Sequence, residues 1–292
     1  MARLCVVGGR EIGDGRGLAV VAGPCLLESE ELAIGVGSRV RDLCAERGLT
    51  YIFKASLDKA NRSSIRSSRG PGMEKGAEVL ARVRDRLGVP ATTDIHLPEH
   101  AAMVAGACDL IQIPAFLCRQ TDLLQAAGEA AAKHGLGVNV KKGQFMSPRE
   151  MNGCVRKLEE SGCANVMLTE RGTFFGYHRL VNDFIGLGEL MELGEEAGAR
   201  DSRASGSHAG APPVCFDVTH STQLPGAGET TGGKPRFAPL LARAATAAGV
   251  HALFIETHPE PARAQSDAAT MVPLSEMARL LESVARIRAA MG

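Results

Sequence analysis

Eight short apolar or β-branched runs, each followed by a segment with helical periodicity, constrain the fold of this chain most strongly. Several of the runs are continuously apolar rather than alternating, which is typical of parallel strands covered on both faces. Eight strand–helix units predict an α/β chain whose sheet closes into a (β/α)8 TIM barrel, as a single domain over residues 1–292. The runs span residues 18–25, 50–56, 89–95, 109–115, 137–143, 165–171, 213–220 and 252–258.

The ends of two helices can be predicted from capping residues. Ser29 is the expected N-cap of the first helix and Gly48 its C-terminal stop, while Thr121 and Gly135 bracket a later helix in the same way. An open, doubly wound sheet is the alternative fold. It lacks support because no GxGxxG sequence follows the first apolar run.

Two segments depart from the barrel pattern. Residues 1–17 are predicted to form an N-terminal β-hairpin that turns near residues 13–17 and plugs one end of the barrel. Residues 194–213 are rich in Gly, Ala and Ser without periodicity, which predicts a flexible loop. Because this loop follows a helix and precedes a strand, we expect it on the face opposite the active site, where it is dispensable for catalysis.

The composition excludes some classes of partner. The chain has 33 basic and 33 acidic residues, so it presents no general field for nucleic acid or an acidic membrane surface, and local clusters must carry any anion binding. Its eight cysteines form no CxxC pair, which favours a reduced, cytoplasmic setting over a disulfide framework. Charged residues interrupt the N-terminal region early, so we expect neither a signal peptide nor a membrane span.

Ionisable residues stand at the carboxyl ends of most predicted strands. In a parallel barrel these ends converge on the face that carries the chemistry. Any one of these residues could simply be a solvated strand end. Burying an unpaired charge costs several kcal/mol, however, so ionisable residues at the same end of most strands together predict a functional site. The residues are Cys25, Lys54, Asp94, Lys141, Glu170, Arg171, His220 and Glu256.

One part of this predicted site is cationic. Arg supplies a planar bidentate fork and Lys a compact point charge, and each charge-assisted contact is worth roughly 1.5–3 kcal/mol. Several such contacts together imply a ligand with more than one anionic group, such as a phosphate and a carboxylate. The candidates are Lys54, Lys59, Arg62, Arg119, Lys141 and Arg171, with Ser63 and Ser64 as neutral donors in the stretch "KASLDKANRSSIRSSRG" (54–70).

The other part is a candidate metal site. Cys25, His220, Glu256 and Asp267 offer one sulfur, one nitrogen and two carboxylates, a mixed set that suits Zn²⁺, Fe²⁺, Mn²⁺ or Co²⁺ better than Mg²⁺ or Ca²⁺. A lone cysteine after "AGP" is more often a core residue, so spacing alone leaves both interpretations of Cys25 open.

A series of motifs, in order from about residue 18 to 288, resembles the 3-deoxy-D-manno-octulosonate-8-phosphate (Kdo-8-phosphate) synthase family. The "KANRSS" segment discriminates this family from the related 3-deoxy-D-arabino-heptulosonate-7-phosphate synthases, which typically have a "KPRTS"-type sequence there. The motifs are "AGPC", "FKASLDKANRSSIRSSRGPG", "TTDIH", "IQIPAFLCRQTDLL", "NVKKGQF", "TERGTFFGY", "FDVTHSTQLPG", "ALFIETHPEP" and "SDAATMVPL".

The resemblance implies a transferase of lipopolysaccharide biosynthesis that condenses phosphoenolpyruvate with arabinose 5-phosphate and releases phosphate. The family divides into a metal-dependent class with Cys after "GP" and a metal-independent class with Asn there. Cys25 implies the first class, with His220, Glu256 and Asp267 completing the ligand set.

The resemblance also assigns roles to the cations. It implies that Lys54, Lys59, Lys141 and Arg171 hold phosphoenolpyruvate, and that a homotetramer brings Arg119 in from a neighbouring subunit. The residues implied on arabinose 5-phosphate are Asn61, Arg62 and Ser63, and those implied in catalysis are Lys54, Lys59, Lys141, His220 and Asp267.

Three alternative functions stay open at this point. The nearest is a heptulosonate synthase that uses erythrose 4-phosphate. A Schiff-base aldolase with Lys54 or Lys141 as its amine nucleophile is more distant. The third is a phosphosugar-binding protein that catalyses nothing.

Overall fold

The computed structural model of the chain describes residues 2–61, 66, 68–176, 178–194, 210–226 and 232–292. In chain order its strands are β1 (Cys5–Val7), β2 (Arg10–Ile12), β3 (Ala19–Gly23), β4 (Thr50–Lys54), β5 (Ala91–Asp94), β6 (Leu110–Ile113), β7 (Gly137–Lys141), β8 (Val166–Glu170), β9 (Thr173–Phe174), β10 (Leu180–Val181), β11 (Val214–Asp217), β12 (Gln223–Leu224), β13 (Gly232–Gly233), β14 (Ala252–His258) and β15 (Val272–Pro273).

Within the same ranges the α-helices are α1 (Glu30–Ala45), α2 (Met73–Leu87), α3 (His100–Val104), α4 (Thr121–His134), α5 (Met151–Glu160), α6 (Phe184–Met191), α7 (Ala238–Ala247) and α8 (Met277–Ala290). Short 3-10 helices span Ala115–Leu117, Pro148–Glu150, His220–Thr222, Pro235–Phe237, Pro261–Arg263 and Leu274–Glu276. None of the helices within the described ranges combines the length and hydropathy that crossing a membrane requires.

The central sheet is a closed barrel of eight parallel strands. Its order is β3–β4–β5–β6–β7–β8–β11–β14, and β14 pairs with both β11 and β3, which closes the ring. Each strand lies within one of the eight apolar runs, and the strand residues are buried almost throughout. The predicted (β/α)8 barrel is confirmed, because continuous apolar runs can be buried only between a barrel interior and a layer of helices.

Ser29 and Gly135 cap their helices as predicted, whereas α1 ends at Ala45 with Glu46 as its C-cap, so the predicted stop at Gly48, with a φ of +64°, lies two residues beyond the cap. Ser29 Oγ accepts the Leu32 N–H at 3.1 Å as the N-cap of α1, and Gly135 ends α4 in the left-handed conformation at φ +70°. The predicted N-cap at Thr121 is one residue off, because α4 already includes Thr121 and its N-cap is Gln120. The Thr121 hydroxyl instead accepts a hydrogen bond from Lys157 Nζ at 2.8 Å.

The N-terminal hairpin of β1 and β2 packs against the barrel interior. Cys5, Val7 and Ile12 join one buried cluster with the inward-facing strand residues. Asn165, just before β8, pairs with the Val6 backbone like a strand, because its side chain donates to the Val6 carbonyl and accepts the Val6 N–H, both at 2.7 Å. The hairpin therefore plugs the amino end of the barrel.

The position of the hairpin turn differs from the prediction. Residues 8–9 make the turn, rather than residues 13–17, and Gly8 and Gly9 have φ values of +52° and +76°. These positive φ values favour glycine at both positions of a tight hairpin. The predicted flexible loop at 194–213 lies for the most part, at residues 195–209, outside the described residues.

Candidate active site

A cavity of about 260 Å³ opens at the carboxyl ends of the barrel strands. Its walls come from the loops that follow the strands, as the convergence of strand ends predicts. Nine of the residues named in the sequence analysis line it: Lys54, Lys59, Asn61, Asp94, Lys141, Arg171, His220, Glu256 and Asp267. We refer to Lys54, Lys59, Lys141 and Arg171 as the cation group.

Lys54, the last residue of β4, pairs with Glu256 on β14. Its Nζ donates to Glu256 Oε1 at 2.5 Å, to Ser56 Oγ at 3.0 Å and to the Cys25 carbonyl at 3.2 Å. Burial opposes the charged amine, but the charge of Glu256 raises the pKa of Lys54 above its ordinary value of 10.5. Because its three N–H donors are engaged, Lys54 acts on the cavity through its charge rather than through a free N–H.

Lys141 is held by an acidic partner at the end of β11, and Lys59 by one in the loop after β14. Lys141 Nζ donates to Asp217 Oδ2 at 2.7 Å and lies 3.5 Å from the centroid of the Phe254 ring, a cation–π contact. Lys59 Nζ lies 3.7 Å from Asp267 Oδ2. Burial opposes its charge too, yet the surrounding acidic groups raise the pKa of Lys59 well above 10.5.

Arg171 follows β8 and is 5% exposed. One guanidinium nitrogen, NH2, donates to Gln223 Oε1 at 2.6 Å, while NH1 is buried without a hydrogen-bond partner among the described residues. Burial lowers the pKa of Arg171 from 12.5. A buried donor with no partner costs free energy, so this arrangement favours an anionic ligand in the cavity that accepts from NH1.

Three potential metal ligands meet at one edge of the cavity. The ligand atoms of Cys25, Glu256 and Asp267 lie within 4.8 Å of one another, and Cys25 Sγ is 3.1 Å from Asp267 Oδ2. Asp267 has a φ of +48°, a left-handed conformation that is uncommon outside glycine and recurs at ligand-holding sites. We refer to Cys25, Glu256 and Asp267 as the ligand cluster.

A close approach of two strands brings Cys25 to this edge. Gly23 ends β3 beside Lys54, and a Cβ atom at residue 23 would overlap the Lys54 carbonyl, so the "AGPC" turn requires glycine there. Burial, and next the charge of Glu256, raise the pKa of the Cys25 thiol well above its ordinary value of 9.0. A thiolate at this position therefore requires an additional positive charge close to the sulfur.

His220 lies at the border of the ligand cluster. Its Nδ1 is 2.8 Å from Asp217 Oδ2, which leaves Nε2 directed toward Glu256 Oε2 at 3.7 Å. Burial favours the neutral acid, but His220 and Lys141 hold the pKa of Asp217 well below 3.8. A carboxylate that fixes one ring nitrogen and leaves the other for a metal is the usual support of a histidine ligand.

The residues at this edge fit a divalent metal ion. Glu256 Oε2 is a buried atom that has no hydrogen-bond partner within the described ranges, although the other oxygen of the same carboxylate accepts from Lys54. Burial opposes ionisation, yet Lys54 and Lys59 hold the pKa of Glu256 well below 4.5, so the carboxylate is charged. An ionised, unpartnered oxygen beside a thiol, a second carboxylate and an imidazole is the donor set of a transition-metal site.

Not every predicted site residue reaches the cavity. Arg119 is exposed outside the cavity lining, and its carbonyl accepts from Lys157 Nζ at 3.0 Å. Asn61 is exposed at the cavity mouth. Arg62, Ser63 and Ser64 lie outside the described residues. The roles predicted for these residues stay predictions.

Two acidic residues hold other site residues in place: Asp217, which the sequence analysis did not name, and Asp94, which it named only as a strand-end residue without a specific role. Asp217 serves both Lys141 and His220. Asp94 accepts from Ser56 and Gln112 and lies 3.8 Å from Lys54 Nζ. The available signal was position, because each aspartate ends a strand, and Asp217 also precedes His220 by three residues.

Comparison with known proteins identifies the family. The model of the DAHP synthetase I family matches residues 6–291. The chain belongs to the DAHP synthetase I family. Curated relatives of this DAHP synthetase I chain are named 2-dehydro-3-deoxyphosphooctonate aldolase. One from Cyanothece sp. is 46% identical and covers 100% of this chain and 99% of its own length.

Two further relatives carry the same name. The protein from Nitratidesulfovibrio vulgaris is 47% identical over 92% of this chain and 91% of its own length. The protein from Azoarcus sp. is 46% identical over 96% of this chain and 94% of its own length. Within the DAHP synthetase I family, the predicted resemblance to Kdo-8-phosphate synthases is thereby confirmed.

Proposed function

We propose that this chain is a Kdo-8-phosphate synthase, a transferase that condenses phosphoenolpyruvate with D-arabinose 5-phosphate and water. The products are 3-deoxy-D-manno-octulosonate 8-phosphate and inorganic phosphate. The observation that carries the proposal is the cavity at the barrel mouth, where the cation group faces the ligand cluster. The names of the curated relatives support the same reaction.

The cation group suits phosphoenolpyruvate, which bears a phosphate and a carboxylate. Arg171 NH1 supplies a free donor for one anionic oxygen. Lys54, Lys59 and Lys141 supply fixed positive charge in a partly enclosed cavity, where electrostatic interactions are stronger than in bulk water. Holding both substrates there removes translational and rotational freedom from the reaction, an effect that supplies up to several kcal/mol.

The chemistry forms one carbon–carbon bond and breaks one carbon–oxygen bond. Carbon 3 of phosphoenolpyruvate attacks the aldehyde carbon of arabinose 5-phosphate, whose oxygen takes up a proton and becomes a hydroxyl. Water adds at carbon 2 of phosphoenolpyruvate with loss of a proton. The tetrahedral intermediate then releases phosphate by cleavage of the carbon 2–oxygen bond, which leaves the ketone. Charge on the phosphate and carboxylate is offset throughout by the cation group.

The ligand cluster, together with His220, would hold a divalent ion such as Zn²⁺, Fe²⁺, Mn²⁺ or Co²⁺. Such an ion supplies Lewis-acid chemistry and a positive charge at the edge of the cavity. Asp217 fixes the orientation of His220 whichever of these ions is bound. This donor set supports the proposal that the chain belongs to the metal-dependent class that Cys25 implies.

The proposal extends to assembly and location. A homotetramer would allow Arg119, which is exposed outside the cavity of its own chain, to contribute to a neighbouring site. A cytoplasmic location fits the absence of disulfides among the eight cysteines, all of which are free and buried.

The test is phosphate release with two different aldehydes. Purified protein is supplied with Mn²⁺, phosphoenolpyruvate and either arabinose 5-phosphate or erythrose 4-phosphate, and the product is identified by mass spectrometry. We expect release with arabinose 5-phosphate and formation of the eight-carbon product. Faster release with erythrose 4-phosphate would instead identify a heptulosonate synthase, which the names of the relatives do not favour.

Two further readouts address the remaining alternatives. Borohydride added during turnover traps substrate on a lysine only if a Schiff base forms, and we expect no such adduct. Binding of both ligands without any phosphate release would indicate a binding protein and contradict the proposal.

A further inference from the structure

A buried ion pair lies behind the cavity, next to the cation group but outside the cavity lining. Lys142 follows Lys141 at the end of β7, and Glu170 precedes Arg171 at the end of β8. The two side chains are 1% and 4% exposed, and Lys142 Nζ lies 3.3 Å from Glu170 Oε2. Neither side chain contacts the cavity, so the reaction itself does not explain why this charge is buried.

The carboxylate of Glu170 fixes the backbone that carries Arg171. Its Oε1 accepts the N–H of Arg171 at 2.9 Å and the N–H of Gly172 at 2.7 Å. Gly172 has a φ of +91°, which favours glycine, and a Cβ there would crowd Leu180 at 2.8 Å. The turn after β8 is therefore shaped by one carboxylate oxygen and one glycine, and this turn sets the direction of the Arg171 side chain.

Lys142 connects the same carboxylate to the loop after β7. Its Nζ also donates to the Met146 carbonyl at 3.1 Å and to Thr173 Oγ1 at 3.3 Å, so all three of its donors have acceptors. Between the two loops, the Phe174 N–H donates to the Gln144 carbonyl at 3.0 Å. Gln144 and Phe174 both line the cavity, so the ion pair ties together two walls of the site.

We propose that Glu170, neutralised by Lys142, is a positioning residue that orients Arg171 toward the phosphate or carboxylate of phosphoenolpyruvate. This inference rests on the proposed function. Breaking the ion pair lets the turn relax, and a guanidinium displaced by about 1 Å no longer presents NH1 to the anion. Such misplacements reduce catalytic efficiency by up to roughly a hundredfold.

The experiment compares the Michaelis constants of the two substrates in four variants of the full chain loaded with Mn²⁺. The variants are Glu170→Gln, Thr173→Val, Arg171→Ala and the Glu170→Gln/Arg171→Ala double variant. Glu170→Gln should raise the KM for phosphoenolpyruvate about tenfold and leave the KM for arabinose 5-phosphate within twofold. Thr173→Val removes only one acceptor of Lys142, so it should raise the KM for phosphoenolpyruvate by a smaller factor of at least two. This variant keeps the test available if Glu170→Gln does not fold.

The double variant separates positioning from general structural damage. If Glu170 acts through Arg171, adding Glu170→Gln to Arg171→Ala should change the KM for phosphoenolpyruvate by less than twofold. Glu159→Gln is the matched control, because Glu159 pairs with Arg3 at 2.5 Å near the amino end of the barrel, and it should leave both KM values unchanged.

The inference would be overturned if the two substitutions multiplied their effects on the KM for phosphoenolpyruvate in the double variant. It would also be overturned if Glu170→Gln raised the KM values of both substrates equally. A normal KM in Glu170→Gln and Thr173→Val beside a raised KM in Arg171→Ala would overturn it while leaving the proposed function intact. Wild-type protein that releases no phosphate from phosphoenolpyruvate and arabinose 5-phosphate would overturn both.

Discussion

Asp217 holds His220 by its Nδ1 atom, with 2.8 Å between that nitrogen and Asp217 Oδ2, and so directs Nε2 toward the ligand cluster. The same carboxylate oxygen accepts from Lys141 Nζ at 2.7 Å. One fully buried aspartate therefore connects the candidate metal edge of the cavity with the cation group. Changes at Asp217 should consequently affect both metal retention and substrate binding.

Asp217→Asn tests this connection. The amide keeps an oxygen that can accept from Nδ1, but it loses the charge that stabilises both Lys141 and the orientation of His220. Loss of such a supporting carboxylate typically costs 10–100-fold in metal affinity or activity. We expect at least a tenfold weaker retention of Mn²⁺ or Zn²⁺, measured by elemental analysis after dialysis against graded metal buffers.

Asp42→Asn is the control for this measurement, because its side chain on α1 is 54% exposed and forms an ion pair with the neighbouring Arg41, away from the cavity. It should retain metal like the wild-type chain. If Asp217→Asn also retained metal and full phosphate release, Asp217 would not support His220 as a ligand.

Chelation tests the metal site without any substitution. Dialysis against a strong chelator should abolish phosphate release, since the ligand cluster would no longer hold a cation beside the substrates. Added Mn²⁺ or Zn²⁺ should restore it, whereas Mg²⁺, which prefers oxygen ligands alone, should restore much less. Activity that survives complete removal of metal would contradict the assignment.

Much of the barrel follows from the sequence, because strands buried on both faces leave long apolar runs that no surface strand needs. The position of the hairpin turn could not be predicted from the sequence. Glycines stand at 8, 9, 13, 15 and 17, and each of them could supply the positive φ that a tight turn needs. The turn forms at Gly8 and Gly9 because only the resulting hairpin register places Cys5, Val7 and Ile12 together in the barrel interior. That contact joins residues distant in sequence and leaves no local signal.

The candidate site likewise has features that the sequence predicts and features that it does not. Residues at strand ends could be predicted to meet because parallel strands all end on one face. Partners could not be predicted, because Lys141 and Asp217 are 76 residues apart and no periodicity relates them. Thr121 illustrates the same limit, since it matches a capping residue by type but its hydroxyl is engaged by Lys157 from the next helix.

Cys25→Asn tests which residue divides the two classes of the family. The resemblance to Kdo-8-phosphate synthases implies a metal-independent class with Asn at this position, so the variant should keep weak phosphate release that a chelator no longer abolishes. Cys25→Ala is the matched control, because it removes the thiol without adding an amide, and it should be inactive after chelation. Assays of both variants with and without chelator give the comparison. Complete inactivity of Cys25→Asn under all conditions would mean that further positions separate the classes.

Asp58→Asn tests the ion pair that closes the loop carrying the predicted sugar-phosphate residues. Arg69 Nε donates to Asp58 Oδ1 at 2.8 Å and its NH2 to Oδ2 at 2.5 Å, and the Lys59 N–H donates to the Arg69 carbonyl at 2.8 Å. The Arg69 side chain is 62% exposed, so the pair contributes at most about 1 kcal/mol to the free energy of unfolding. The KM for arabinose 5-phosphate should rise more than the KM for phosphoenolpyruvate, because the pair fixes both ends of that loop.

The stability effect of this variant should depend on pH in a defined direction. The hydrogen bonds from Arg69 lower the pKa of Asp58 below its ordinary value of 3.8 in the folded chain. The unfolded chain therefore takes up the proton first as pH falls, and the stabilisation present above about pH 5 is lost as pH drops through 3.8 toward the folded pKa. Urea unfolding midpoints of wild type and Asp58→Asn should differ at pH 7, and the difference should shrink progressively as pH falls below 3.8. Asp85→Asn, with a side chain 71% exposed beside Arg84, is the control and should shift the pH 7 midpoint less. A difference between wild type and Asp58→Asn that stays constant from pH 7 to pH 3 would show that the carboxylate charge does not stabilise this loop.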